Sequence, residues 1–386
     1  MKKFLLFTLT LFGLMASAGN ATRNDKDPMA ETGRTQHTEN LLTSLKELGT
    51  QNKFMFGHHD DTVYGIGWVG DSARSDVKSV CGDYPALLAF DLGGLETGSK
   101  KNLDGVDFDR IRQEIIRQYE RGGVTSLSWH CYNPLSGRQS WVEDSLLNVE
   151  SKTVASILSE GETHDKFIAW LDLVAGFLNS LVTTDGVKVP VIFRPWHEHT
   201  GSWFWWGQNN CTTDDYMALW HLTVDRLRKQ GVVNALYAYS TGTESDGNPD
   251  KFMERYPGDD YIDLIGLDFY CFSPASKEEG CARYIQSAQK HLPMICQLAK
   301  EHGKAAAVTE TGYEGVKTPD WWTKTLLPAV AQYPICYLLV WRNAHDKEGH
   351  FYAPYPGHAS APDFVNFYKD SRTLFAGDMK GLYQAK

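Results

Sequence analysis

Two glutamates, Glu198 and Glu310, stand 112 residues apart, each just past a short apolar run: Val189 to Phe193 for the first, Ala305 to Val308 for the second. Short apolar runs bounded by polar groups read as buried strands. A carboxylate at the end of such a strand loses hydration and must recover it from partners, so strands that end this way usually open into a cleft. Two carboxylates on one cleft suit the cleavage of a glycosidic bond. At a separation of about 5–5.5 Å, one attacks the anomeric carbon while the other protonates the leaving oxygen, and configuration is retained; a wider gap implies inversion. Repulsion between them pushes their pKa values apart, leaving one ionised and one protonated. Glu198 is assigned as acid/base and Glu310 as nucleophile, because Arg194 and Tyr270 offer donors that keep a carboxylate ionised.

The residues around Glu198 fit this chemistry. The stretch Val189 to Gly207, VPVIFRPWHEHTGSWFWWG, sets the acid among aromatic rings. Sugar rings present C–H faces to indole, so Trp203, Trp205, Trp206 and Trp341 are candidate stacking platforms. Trp141 is a further candidate that no motif fixes.

Eight strand-like runs are expected to position these groups: Lys53 to Phe56, Ala86 to Phe90, Val124 to Trp129, Val189 to Phe193, Ala235 to Tyr239, Ile262 to Leu267, Ala305 to Val308 and Cys336 to Trp341. Helical patterns lie between them, at Phe108 to Tyr119, Phe167 to Leu181, Tyr216 to Leu227, Tyr284 to Leu298 and Trp321 to Val330. Alternation of this kind predicts a single α/β domain, a (β/α)8 barrel, with a doubly wound open sheet as the alternative. Barrel active sites use residues at the C-terminal ends of strands. Reading past each run gives His58-His59-Asp60, Asp91, His130, His197-Glu198, Ser240, Asp268 with Tyr270, Glu310, and Trp341-Arg342. The two glutamates then follow strands four and seven.

Lys2 and Lys3, an apolar segment from Phe4 to Met15 and the small residues Ala16-Ser17-Ala18 make a secretory signal over residues 1–18. Residues 19–38 are polar and aperiodic, as in a flexible leader, and the catalytic domain is expected over 39–386. No cysteine follows the apolar segment to carry a lipid, so a periplasmic or secreted protein without a membrane anchor is expected. The formal charge of −10 argues against nucleic acid or an anionic membrane surface as partner. Seven cysteines without a CxxC spacing do not suggest a structural zinc site, and their pairing cannot be derived from sequence.

The segments WHCYNP at Trp129 to Pro134, RPWHEHTGSWFWWG at Arg194 to Gly207, GLDFY at Gly266 to Tyr270, ETGYEG at Glu310 to Gly315 and VWRN at Val340 to Asn343 resemble those of family 26 glycoside hydrolases. The first-strand segment FGHHDD joins the resemblance, which covers most of the chain. It implies a (β/α)8 barrel that hydrolyses β-1,4-mannans with retention, using Glu198 as acid/base and Glu310 as nucleophile. It also implies His197 and Trp203 beside the acid, His130 and Trp341 at the cleaved sugar, Tyr270 on the nucleophile and Arg342 at the next sugar on the non-reducing side. Arg194 is expected to orient the carboxylates from below. No cofactor and no metal is expected, the substrate is a β-mannan or manno-oligosaccharide, and the chain is expected to act as a monomer.

Other readings compete. Gly65 to Gly70 satisfies GxGxxG, but no amphipathic helix follows to hold a pyrophosphate, and a loop over the cleft is the better use of Tyr64 and Trp68. His58-His59-Asp60-Asp61 and His197-Glu198-His199 together offer ligands for a metal-dependent barrel hydrolase, although HExxH is absent and adjacent histidines on a strand point oppositely. A carbohydrate-binding protein without catalysis needs the tryptophans but not the acid pair. Within the family, mannobiose-releasing action and β-1,3/1,4-glucan cleavage are the alternatives to endo-acting mannan hydrolysis.

Overall fold

A computed structural model describes residues 27–143, 145, 147–272 and 277–385. The expected signal peptide and the first part of the expected leader lie outside the described residues. Eight parallel strands form a barrel: β1 Phe54–His59, β2 Leu87–Asp91, β3 Val124–Ser128, β4 Val191–Arg194, β5 Ala235–Thr241, β6 Leu264–Tyr270, β7 Ala305–Gly312 and β8 Ile335–Val340. Each pairs with the next, and β8 returns to β1 with Tyr337 against Met55 and Val340 against His58. That last ladder closes the sheet, which a doubly wound sheet would leave open at two edges. All eight expected strands are present, but β2 and β4 run one residue further at their C-terminal ends than the apolar runs do, and β1, β5, β6 and β7 run two to four residues further. The backbone ladder continues through polar residues that face the site, whereas hydrophobic patterning stops at the first of them.

The main helices are α1 Gln36–Thr50, α2 Asp76–Cys81, α3 Phe108–Glu120, α4 Glu162–Asn179, α5 Thr213–Lys229, α6 Lys277–Glu301 and α7 Ala361–Tyr368. Trp322–Leu326 forms a π-helical turn continued by an α-helical turn over Leu327–Val330, where one uninterrupted helical pattern is expected. Helix α1 lies across the lower mouth of the barrel. Its Leu41, Leu45 and Leu48 pack in one apolar cluster with the interior residues Met55, Leu87, Ile192, Leu236 and Leu264. The helix begins at Gln36, three residues before the expected start of the domain at residue 39. Thr35 caps α1 by accepting from the Thr38 N–H, and Arg34 grips Asp263 with two bonds of 2.8 Å each. These residues are polar because they cap and pair, which composition alone reads as a leader.

One irregularity aims the chemistry. Ala305 and Ala307 on β7 face the barrel interior with Leu264, so strict alternation would turn Thr309 inward and Glu310 outward. The ladder instead slips between Leu267–Val308 and Asp268–Glu310, leaving Thr309 as an extra residue in β7. The bulge brings Glu310 inward beside Asp268. Space for it comes from Gly266, where a Cβ would lie 2.4 Å from the Thr309 Cγ2. Gly266→Ala is therefore expected to lower unfolding stability in urea by about 1–3 kcal/mol, the usual cost of overpacking a filled interior. A midpoint equal to that of the wild type would contradict this reading of the bulge.

Candidate active site

The end of β4 is sharply turned. Trp196 and Glu198 both adopt left-handed backbone, with φ of 52° and 51°, on either side of His197. Such a conformation costs a bulky side chain about 1–3 kcal/mol, so surrounding contacts must enforce it. They do so on both residues. The Trp196 indole is buried against Trp129, Trp205 and Trp206 at 5.1–5.4 Å between ring centroids, and its N–H donates to Thr223. The Glu198 N–H donates to the Ser240 carbonyl at the end of β5. The Trp203 indole N–H reaches back 2.8 Å to the Glu198 Oε2. That indole lies over Gly201, where a Cβ would stand 2.2 Å from the ring.

Glu310 is held differently. The buried Arg194 donates from Nη2 to Glu310 Oε2 at 2.6 Å and from Nη1 to Asp268 Oδ2 at 2.6 Å. The Tyr270 hydroxyl donates to the other Glu310 oxygen at 2.5 Å. Thr309 adds a donor to Asp268 at 2.6 Å. Three carboxyl groups thus share one guanidinium, and two of them take its short bonds while Glu198 has only an indole N–H. Glu198 is therefore the carboxyl whose protonated form these surroundings favour most. Burial, then the charges of Glu310 and Asp268, push its pKa well above the usual 4.5, against the pull of Arg194. Asp268 is also pushed up, to about 7, by burial and by Glu310, with Arg194 opposing. Its two strong donors favour the ionised form, so Glu198 remains the better holder of the proton.

A second chain of bonds runs along the β2–β3 side. Asp91 accepts from His130 Nδ1 at 2.6 Å and from Ser128 at 2.6 Å. Burial alone would raise this carboxyl, but His130, Ser128 and the Gly93 N–H hold it below its usual range. His130 Nε2 meets His197 Nε2 at 3.2 Å. Burial, followed by the charge of Arg194, keeps His197 neutral. Trp141, 46% exposed, stacks on the His130 ring at 5.1 Å. Trp341 packs 4.3 Å from the His59 ring, and Arg342 bridges Asp104 at 3.1 Å and the Tyr64 hydroxyl at 3.2 Å. Burial and the charge of Asp60 raise Asp104 to about 7.

The structure thus brings His130, Arg194, His197, Glu198, Trp203, Tyr270, Glu310, Trp341 and Arg342 to one mouth. Trp205 and Trp206 are a correction. Both are fully buried, donating to the carbonyls of Cys131 and His197, so they support the loop and offer no stacking face. The histidines proposed as metal ligands are divided. His58 turns outward to Asp61 at 2.7 Å, and His199 is buried between Tyr216 and Tyr239. Gly65 to Gly70 spans a hairpin, Tyr64–Gly65 against Trp68–Val69, with Trp68 and Ile66 donating to Asp76. Asp91 and Asp268 stand at strand ends in the sequence, and that position was their signal. Asp104 lies in a loop and carried none.

A closed (β/α)8 barrel with one cation-held carboxylate and a second carboxyl without a bonded cation at its upper mouth is the framework of a glycoside hydrolase. Residues 30–312 match glycosyl hydrolase family 26, and the chain belongs to that family. It is similar to a family 26 β-mannanase from Bacteroides ovatus, with 51% identity and a TM-score of 0.87, covering 92% of this chain and 98% of that one. A modular endo-β-1,4-mannanase from Cellulomonas fimi is 31% identical with a TM-score of 0.80, over 92% of this chain and 78% of that one. A mannan endo-1,4-β-mannosidase from Bifidobacterium adolescentis is 29% identical over 95% of this chain, which spans only 37% of that longer protein.

The protonation scheme has a consequence for stability. Glu198 has a raised folded-state pKa, so folding binds a proton; that stabilisation is full below the unfolded value near 4.5 and is lost as pH rises through the folded value. Glu198→Gln, which is neutral throughout, is expected to match the wild type in Tm at pH 4 and to exceed it by about 2 °C or more at pH 8. Equal melting temperatures at both pH values would place the proton elsewhere.

Proposed function

We propose that this chain is an endo-acting β-1,4-mannanase that works by double displacement with retention of configuration. The observation that carries the reading is the unequal treatment of the two carboxylates. Glu310 is pinned by short bonds from Arg194 and Tyr270, while Glu198 has a single indole donor and a pKa raised by burial and its acidic neighbours. Glu310 attacks the anomeric carbon as Glu198 gives its proton to the leaving oxygen; Glu198 then takes a proton from the water that releases the sugar. His130, Trp141, Trp341 and Arg342 face the sugar that is cleaved and its non-reducing neighbour. The mannan preference is supported by the names of the relatives from Bacteroides, Cellulomonas and Bifidobacterium.

Export, to the periplasm or the medium, is supported by the charged, apolar and small-residue succession at the N-terminus. Among the described residues no helix is long and apolar enough to cross a membrane, and the seven cysteines are free thiols.

Two variants test the roles. Glu310→Ala is expected to lose at least about 10³-fold in kcat on every substrate. Glu198→Ala is expected to lose about 10²–10⁴-fold on mannan, yet to form the intermediate readily from a dinitrophenyl β-mannobioside, whose leaving group needs no proton. Mannan hydrolysis that survives Glu310→Ala would sink the assignment.

A further inference from the structure

The line across the barrel mouth from β4 to β7, from Glu198 to Glu310, divides the rim into two halves. The half made by β8, β1, β2 and β3 carries His130, Trp341 and Arg342 and is filled by the bonded network of Asp91, Asp104 and Tyr64. The half made by β5 and β6 is open. It holds a cleft of about 480 Å³ lined by Glu198, Trp203, Glu244, Tyr270, Phe272 and Arg283, a size within the about 300–1,000 Å³ of ordinary ligand sites. The acid must face the glycosidic oxygen, so the sugar leaving with that oxygen lies on the side of the line that the cleaved sugar does not occupy.

Phe272 is the unexplained residue in this cleft. It is 75% exposed, the largest exposure among the exposed large apolar side chains of the described residues. A ring so placed contributes little to the core, and the residue before it is tied down. The preceding Cys271 N–H donates to the Gly312 carbonyl at 2.8 Å, tying the end of β6 to β7 two residues past the nucleophile. The Phe272 ring stands 6.2 Å from that of Tyr270, which holds Glu310. Trp203, 38% exposed, lines the same cleft from the β4 side. Polar lining accompanies the rings, with Glu244 oriented by a 2.6 Å bond from Thr200. Two apolar faces with a few fixed polar groups between them is the arrangement that takes a sugar, which shows C–H faces and equatorial hydroxyls.

We infer that Phe272 is a stacking platform for the leaving-group side of the mannan chain and sets how strongly the enzyme prefers long substrates to those with a small leaving group. The inference rests on the mannanase reading and deepens it. No sugar unit on the leaving side is present in an aryl β-mannobioside, whereas mannohexaose places several there. The test compares kcat/KM for these two substrates in the wild type, Phe272→Ala and Phe272→Trp. Phe272→Ala is expected to lower the ratio of mannohexaose to aryl mannobioside by about tenfold, as loss of one ring contact does, through KM more than kcat. Phe272→Trp, which keeps an aromatic face, is expected to hold the ratio within about twofold of the wild type. A ratio unchanged in Phe272→Ala, including equal losses on both substrates from a structural fault, would overturn the inference. A wild type that cleaves neither substrate would overturn the mannanase reading instead.

Discussion

One guanidinium governs this molecule. Arg194 is buried at the end of β4 and divides its donors between Asp268 and Glu310. Burying a cation is unfavourable unless it is paired and hydrogen-bonded, and here each of two carboxylates compensates it through a short bond. The arrangement leaves Glu198 without a bonded cation among the described residues, in the same low-dielectric mouth. Asymmetry between two chemically identical side chains follows from who touches Arg194, and the acid/base and nucleophile roles proposed for them rest on it.

The backbone is bent to serve that arrangement. Alternation along β7 would face Glu310 outward, and the extra residue Thr309 reverses it, with Gly266 on β6 leaving the necessary space. At β4 the same result is reached by two left-handed residues, Trp196 and Glu198, locked by a nest of buried indoles. Both irregularities lie next to the two glutamates at the barrel mouth. Tryptophans that looked like sugar platforms therefore divide into two groups. Trp205 and Trp206 brace the turn, while Trp203 bonds the acid and meets the cleft.

The barrel was legible because its strands are buried on both faces and read as continuous apolar runs. The carboxylates were legible because they stand where those runs stop. What escaped was whatever depends on register or on loops. Thr309 looks like any strand residue, and nothing in Ala305 to Val308 announces a slipped ladder. Asp104 reaches Arg342 from a loop far away in sequence. Arg34 and Thr35 resembled a disordered leader, since caps and ion pairs use the same polar residues that disorder does. The fates of Trp203, Trp205 and Trp206 could not be told apart by spacing, because an irregular loop has no period to read.

The central claim is that Glu310 is the group that bonds to sugar. A 2-deoxy-2-fluoro-β-mannobiosyl fluoride tests it most directly: the ring fluorine slows both displacement steps, and the good leaving group restores the first, so a covalent intermediate accumulates. Intact mass followed by peptide mapping is expected to find one added 2-fluoromannobiosyl group, esterified to Glu310. An adduct on another residue, or no adduct while the substrate turns over with inversion, would contradict the account.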